Sequence, residues 1–483
     1  DLYITPYLDE AQISSGTLAY AFGAGKAVIS TPYWHAAELL KNQRGVLVPF
    51  GDSTAIAREV KALLRNERRR NNMSANAYRL GRGMVWSHTA GLYMSSFELA
   101  RRQGPAGHGP GAAQRQPAPE RREALEVNLS HLYHMTDSTG ILQHAALAAP
   151  NLSEGYCTDD NARALILAVL LDQMGDAPRR VEALARTYMA FLHDAFDPRT
   201  RRFHNFLGID RRWLDNQGSE DSHGRAIWAL GTVAGRAPDW SERGITGELF
   251  LDALAALTDF TSPRAWAFGL IGIHEYLRRL NGDRLASEVG QELTGRLMTI
   301  FEKVAQPRWL WFEEKLSYDN AKLAHALIAA GRATGQQSVS ERGIDALRWL
   351  VTVQTSREGW FRPIGSNGFY ERSGIRADFD QQPIEAHSTV SACLEAYRAT
   401  ADPWWYEEAQ RAFDWFFGWN DLGEVLYCAQ TGGCRDALHA DRNNENQGAE
   451  STLAFLLSLA EMRLTPSPAV AVQRTNRKQP GAA

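Results

Sequence analysis

Residues 156–171 read YCTDDNARALILAVLL: Asp159 and Asp160 stand together, and Arg163 follows one helical turn later. The pattern recurs. Set on the basic residue, DDNARAL, EDSHGRAI and YDNAKLA superimpose Arg163, Arg225 and Lys322, which puts Asp159 with Asp221 and Asp160 with Ser222. EAHSTV and GAESTL align in turn, so His387 and Glu450 share a position. Any one of these acids has a plain explanation, because Asp and Glu at a helix start bond free N–H groups and face the positive end of the dipole. Their recurrence goes beyond capping. Carboxylates crowded together raise one another's pKa, so one can hold a proton while another is ionised. That split supplies the acid and base of glycosidic cleavage.

The catalytic carboxylates expected on this basis are Asp160, Asp221, Asp380 and Glu450. Asp159, Glu220, Glu313 and Glu314 are alternatives, and His223 and His387 would move protons if the chemistry were epimerisation instead. Arg163, Arg225, Trp311, Trp360, Tyr370 and Gln447 are expected to hold substrate, since sugars stack their C–H faces on rings and bond their hydroxyls to polar groups. No metal site is expected: His223, His387 and His439 lack the spacing of a helical zinc motif, and no cofactor motif is present.

The elements that must carry these residues are six apolar, Ala- and Gly-rich segments that include the repeats above. Their starts recur about every 40 to 65 residues, room for an intervening helix each time. The intervening segments, such as VEALARTYMAFLHDAF and ASEVGQELTGRLMTIFEKV, carry charge on one side. Six inner helices ringed by outer ones make an (α/α)6 toroid, with all inner N-termini opening at one end. A helical solenoid is the alternative, although its repeats would be more uniform.

The fold expected for the 483 residues is mainly α, the toroid preceded by a partial α/β, Rossmann-like segment. Residues 1–100 alternate short apolar runs, KAVIST and GVLVPF, with an amphipathic helix capped by Asp52 or Ser53. The Pro-, Gly- and Arg-rich stretch 101–124 reads as a linker, 125–463 as the toroid, and 464–483 as a disordered tail. A net charge of −4 argues against nucleic acid as a partner. Four scattered cysteines favour reduced thiols and a cytoplasmic location. No apolar run suits a membrane span. Because the chain opens at Asp1 in a strand-like DLYITPY, it reads as starting inside a longer protein.

On the repeat, residues 125–463 resemble the six-hairpin glycosidase superfamily, which implies catalytic acids at the rim of the ring. Sugar epimerases of the same shape, which use histidines, resemble it as well. Residues 1–100, through ISSGTLAYAFGAGKAVISTPYWHAAELL, GVLVPFGDSTAIAREVKALL and MVWSHTAGLYMSSFE, resemble the end of the C-terminal domain of retaining GT-B glycosyltransferases of family 4. That resemblance implies a sugar nucleotide bound by a longer parent. The family's two donor-binding glutamates align with Gln12 and Tyr20 here. Only a vestigial diphosphate turn remains, Ser14, Ser15, Gly16 and Thr17. The expected function is therefore a carbohydrate-active, glycosyltransferase-related protein whose toroid hydrolyses or remodels an oligosaccharide or glycoside. Epimerisation or isomerisation of a sugar, or glycan binding without catalysis, are the alternatives.

Overall fold

The computed structural model describes residues 2–10, 15–82, 126–175, 178–237, 240 and 245–468. The expected linker at 101–124, Gln12, Ser14 and the stretch 84–98 lie outside them. The chain divides into two compact units, residues 1–116 and 117–483.

In the first unit, strands β1 (Leu2–Thr5), β2 (Ala27–Ser30) and β3 (Gly45–Leu47) form a parallel sheet in that order. Helices α1 (Gly16–Gly23), α2 (Trp34–Leu39), α3 (Ser53–Arg65) and α4 (Glu67–Gly81) provide the crossovers and the packing against it. Asp52 caps α3 as expected, its side chain accepting from Ala55 N at 2.8 Å. Ala27, Val28, Ile29 and Ser30 of the central strand are all buried, as a parallel strand covered on both faces requires.

The second unit opens with the short helix α5 (Ser130–Met135). It continues through α6 (Thr158–Met174), α7 (Pro178–Ala195), α8 (Glu220–Arg236), α9 (Ile245–Leu254), α10 (Pro263–Leu277) and α11 (Arg284–Val304). It ends with α12 (Ala321–Thr334), α13 (Gln337–Val353), α14 (Pro383–Thr400), α15 (Pro403–Asp414) and α16 (Ala449–Leu464). Helices α6, α8, α10, α12, α14 and α16 each touch the next, and α16 touches α6, so the inner ring closes. Each of α7, α9, α11, α13 and α15 packs on the inner helix before it, and α5 packs on α16.

The division follows from the side chains. From Asp160 to Leu171 every residue of α6 is buried, whereas α11 buries only Ala286, Val289, Leu293, Leu297 and Phe301, one stripe three or four residues apart. Small residues let the inner helices approach closely. A Cβ on Gly231 of α8 would overlap Gly272 O of α10, and one on Gly272 would lie 2.6 Å from Ile227 O. Gly231→Ala is expected to cost about 1–3 kcal/mol through this overlap, read as a lowered thermal midpoint by circular dichroism.

The fourth inner helix departs from the repeat. Its segment matches the first in sequence, yet α12 begins only at Ala321, because Asp319 has a left-handed backbone with φ 50°. That turn sends the Asp319 carboxylate sideways to Arg225, 2.7 Å away, instead of into a helical first turn. At the other end of the chain α16 runs to Leu464, and Thr465 is still packed, its Oγ1 accepting from Arg398 Nη2 at 2.8 Å. Residues 469–483 lie outside the described ones.

Candidate functional site

The first turns of the inner helices converge at one end of the ring, and two arginines join them. Arg163 on α6 bonds Asp160 Oδ1 at 2.8 Å and Glu450 Oε2 of α16 at 2.9 Å, with Asp159 Oδ2 at 3.3 Å. Arg225 on α8 bonds Asp319 Oδ2 at 2.7 Å, lies over the Phe268 ring, and has Asp159 Oδ2 at 3.7 Å. Both guanidiniums are buried. They tie α6 to α16, and α8 to the turn before α12, through charge-assisted bonds that would be costly to leave half made.

Above this floor opens a cavity of about 240 Å³. Asp159, Asp221 and Glu450 face it beside Arg163 and Arg225, and Asn205, Ser219, Ser222, Tyr318, Gln382 and Ile384 complete its wall. Asp221 accepts from Ser262 Oγ at 2.8 Å and from the Tyr318 hydroxyl. Tyr318 is itself fixed: Arg264 lies over its ring, donates to its carbonyl at 2.6 Å, and is paired with Glu313 at 2.8 Å. A larger and mainly apolar cavity, about 680 Å³, lies on the flank between α10, α11 and α12, with none of the rim acids in its wall. Size alone does not mark the chemistry here, because the smaller cavity holds the convergent polar groups.

Burial, reinforced by Asp159 and Glu450 and opposed by Arg163, raises Asp160 to about 7. Burial and then Asp319 raise Glu385 to about 7, although a hydrogen bond from Asn320 works against it. Asp159 and Asp319 go the other way: burial opposes the shift, but Arg163 and Arg225 for the first, and Arg225 and Lys322 for the second, hold them low. Deeper in the ring, burial brings the Lys322 amine down to about 8 against the attraction of Glu461 and Asp319, and it lies over the Trp228 ring.

A carboxyl whose folded pKa is raised contributes its stability fully at low pH and loses it as pH rises through the folded value. Between pH 5 and 8, therefore, an Asp160→Asn variant should gain stability relative to the wild type as pH rises, by up to about 1.4 kcal/mol per pH unit. Urea denaturation of both proteins at each pH reads this difference, and the buried histidines common to both cancel. A difference that stays flat or falls would contradict the raised value.

Of the carboxylates expected to be catalytic, Asp221 and Glu450 line the cavity and Asp160 lies beneath it on Arg163. Asp380 is elsewhere on the loops, bonded to His439 Nδ1 at 2.5 Å. Among the alternatives, Asp159 faces the cavity. Glu220 accepts from the N–H groups of Thr261 and Ser262, at 2.8 and 2.6 Å, and so caps the entry to α10. Glu313 and Glu314 are paired with Arg264 and Arg372. His223 sits on the opposite face of α8, between Phe203 and Phe260 with Nε2 3.0 Å from Ala253 O, where burial lowers it to about 3. His387 is buried behind the floor, 3.3 Å from Ser391 Oγ and 3.6 Å from Glu461.

Arg163 and Arg225 reach the cavity, but the other expected substrate contacts do not line it. Trp311 is packed against Phe312 and Trp349, Trp360 donates to Asp421, and Tyr370 pairs with Leu316 and packs on Trp309. Gln447 accepts from Thr431 at 2.6 Å, and its carbonyl bonds His131, a clasp between α16 and α5. In the first unit Ser15 caps α1 by accepting from Leu18 N, and its own N–H donates to His35 Nδ1 at 3.0 Å. Gly16 and Thr17 begin α1.

Asn205, Tyr318, Gln382 and Cys157 are not among the residues expected from the sequence. The first three come from loops. Cys157 donates from Sγ to Asp159 and Asp160 at 3.0 and 2.9 Å. Its position two residues before the acid pair was the available signal. One ligand atom from each of these three residues lies within 4.8 Å of the others, as in a metal site, but Arg163 already supplies the positive charge that both acids need.

No protein-family model matches the chain, and no curated protein matches its sequence. Solved structures do. A cellobiose 2-epimerase from Bacillus thermoamylovorans B4167 superposes with TM-score 0.56 at 12% identity, covering 71% of this chain and 97% of that one. A D-mannose isomerase gives 0.55 at 13%, covering 70% and 95%. A sugar epimerase from a ruminal bacterium gives 0.54 at 10%, covering 69% and 95%. The fold is an (α/α)6 toroid. At these identities the likeness is one of architecture. Among the described residues no helix is long and apolar enough to cross a membrane.

Proposed function

We propose that the toroid is a carbohydrate-active enzyme that hydrolyses a glycosidic bond at the rim cavity. One observation carries this: three carboxylates from three inner helices, Asp159, Asp221 and Glu450, face a single polar cavity beside two buried arginines. Glu450 and Asp159 share Arg163, whereas Asp221 accepts from the hydroxyls of Ser262 and Tyr318 and has no ion pair among the described residues. That asymmetry favours Asp221 as the group that protonates the leaving oxygen and Glu450 as the one that takes a proton from water. As the water oxygen bonds to the anomeric carbon, the glycosidic C–O bond breaks. Asp160 and Asp319 would be positioning residues, acting through Arg163 and Arg225.

Epimerisation or isomerisation of a sugar is the second reading, favoured by the three similar structures, whose names carry those activities. Its expected histidines sit behind the wall, which weighs against it. Incubating the protein with an oligosaccharide panel in ¹⁸O-labelled heavy water separates the two. Hydrolysis puts ¹⁸O on a new reducing end, and epimerisation puts deuterium on carbon without one. Deuterium incorporation without cleavage would overturn the hydrolytic reading.

For residues 1–100 the glycosyltransferase resemblance rests on sequence, and no comparison supports it. Tyr20, aligned with a donor-binding glutamate, is exposed on α1, and the Ser15 N–H is spent on His35. Both weigh against a sugar nucleotide being held by this chain.

A further inference from the structure

The charge and size of the rim cavity restrict what it can take. Each buried arginine has a carboxylate of its own beneath the floor, Asp160 under Arg163 and Asp319 under Arg225. Asp159, Asp221 and Glu450 face the cavity above them. Two guanidiniums thus meet five carboxyl groups, and even with Asp160 and Asp221 protonated the carboxylates Asp159, Asp319 and Glu450 outnumber them. A cleft lined by one sign of charge concentrates ligands of the opposite sign and repels its own.

An unused donor is also present. Arg225 is buried, and among the described residues its Nε has no hydrogen-bond partner; Asp159 Oδ2 lies 3.7 Å from it. A sugar hydroxyl can bridge that gap, accepting from Nε while donating to Asp159, which neither a carboxylate nor a phosphate oxygen can do. The volume sets the other limit. At about 240 Å³ the cavity is smaller than the roughly 300–1,000 Å³ of pockets for drug-sized ligands, room in keeping with one pyranose.

Resting on the hydrolytic reading of the same site, we propose that the cavity takes a single terminal sugar residue and selects against anionic sugars, a free amino sugar being its best-matched occupant. The amine would lie among Asp159, Asp221 and Glu450, and one hydroxyl would join Asp159 to Arg225. Uronic acids and sugar phosphates would meet the same excess of negative charge.

The test is binding, which needs no turnover. The full chain is titrated by calorimetry with glucosamine, glucose and glucuronic acid, and with the corresponding manno and galacto sets, at low and high salt. In one stereochemical series the amine should bind about tenfold tighter than the neutral sugar, with the uronic acid weakest. Salt should compress that ranking, and so should Asp221→Asn or Glu450→Gln in variants shown to be folded by circular dichroism. A uronic acid binding as tightly as the amine, a ranking untouched by both substitutions, or no binding in any series would overturn the proposal. The two ideas fail separately: the charge ranking without cleavage of any glycoside counts against hydrolysis alone, and cleavage without the ranking counts against the charge selection alone.

Discussion

Replacing Arg163 by methionine is expected to destabilise the toroid by about 3–5 kcal/mol, the cost of stripping a buried charge network of its central cation. Arg163 is the common partner of Asp159, Asp160 and Glu450, and it ties α6 to α16 where the ring closes. Without it, Asp160 would face Asp159 and Glu450 with only the Cys157 thiol for relief. Methionine keeps most of the side-chain volume, so the loss isolates charge from packing. Urea denaturation monitored at the helical signal reads the effect. Adding Asp160→Asn to the methionine variant should restore part of it, since one of the stranded carboxylates is then neutral. A loss under 1 kcal/mol would mean that the network is open to solvent.

The second large effect is on turnover. Asp221→Asn is nearly isosteric and keeps hydrogen-bonding atoms for Ser262 and Tyr318, but it cannot carry a proton between enzyme and leaving group. The kcat should fall about 10²- to 10⁴-fold, the usual contribution of a positioned acid or base, with a smaller change in KM. Steady-state kinetics on a cleaved substrate, with the melting curve recorded alongside, separates this from unfolding. A variant that keeps kcat within a factor of a few and loses only affinity would make Asp221 a binding group.

Much of the ring could be read from the chain because its inner helices repeat one design. Aligning Arg163 with Arg225 sets Asp159 with Asp221, and both face the cavity, since a shared helical register also shares a direction around the helix axis. The same geometry sets their neighbours apart. His223 stands two residues from both Asp221 and Arg225, and residues so spaced point to different sides of a helix. It falls among Phe203 and Phe260, away from the cavity that Asp221 and Arg225 line. Glu220, one residue from Asp221, likewise turns aside to cap α10.

Loops carry no such period. Tyr318, Asn205 and Gln382 reach the cavity through turns whose paths depend on tertiary contacts. Trp311, by contrast, folds inward against Trp349 to fill the gap between helices, the ordinary use of a large aromatic ring. Asp319 shows the limit most clearly. Its segment matches the first repeat, yet one left-handed residue re-aims its carboxylate at Arg225. The partner on a different helix fixes that choice, and local sequence does not contain it.

If the rim cavity processes a glycoside, its acids must be needed for turnover. The most direct test follows product formation from a panel of oligosaccharides by the wild-type chain and by an Asp221→Asn, Glu450→Gln double variant of equal helical content. The wild type is expected to give a product, released one sugar at a time, and the variant none above background. Equal turnover by the two proteins would contradict it, because the acids that face the cavity would then play no part in the chemistry.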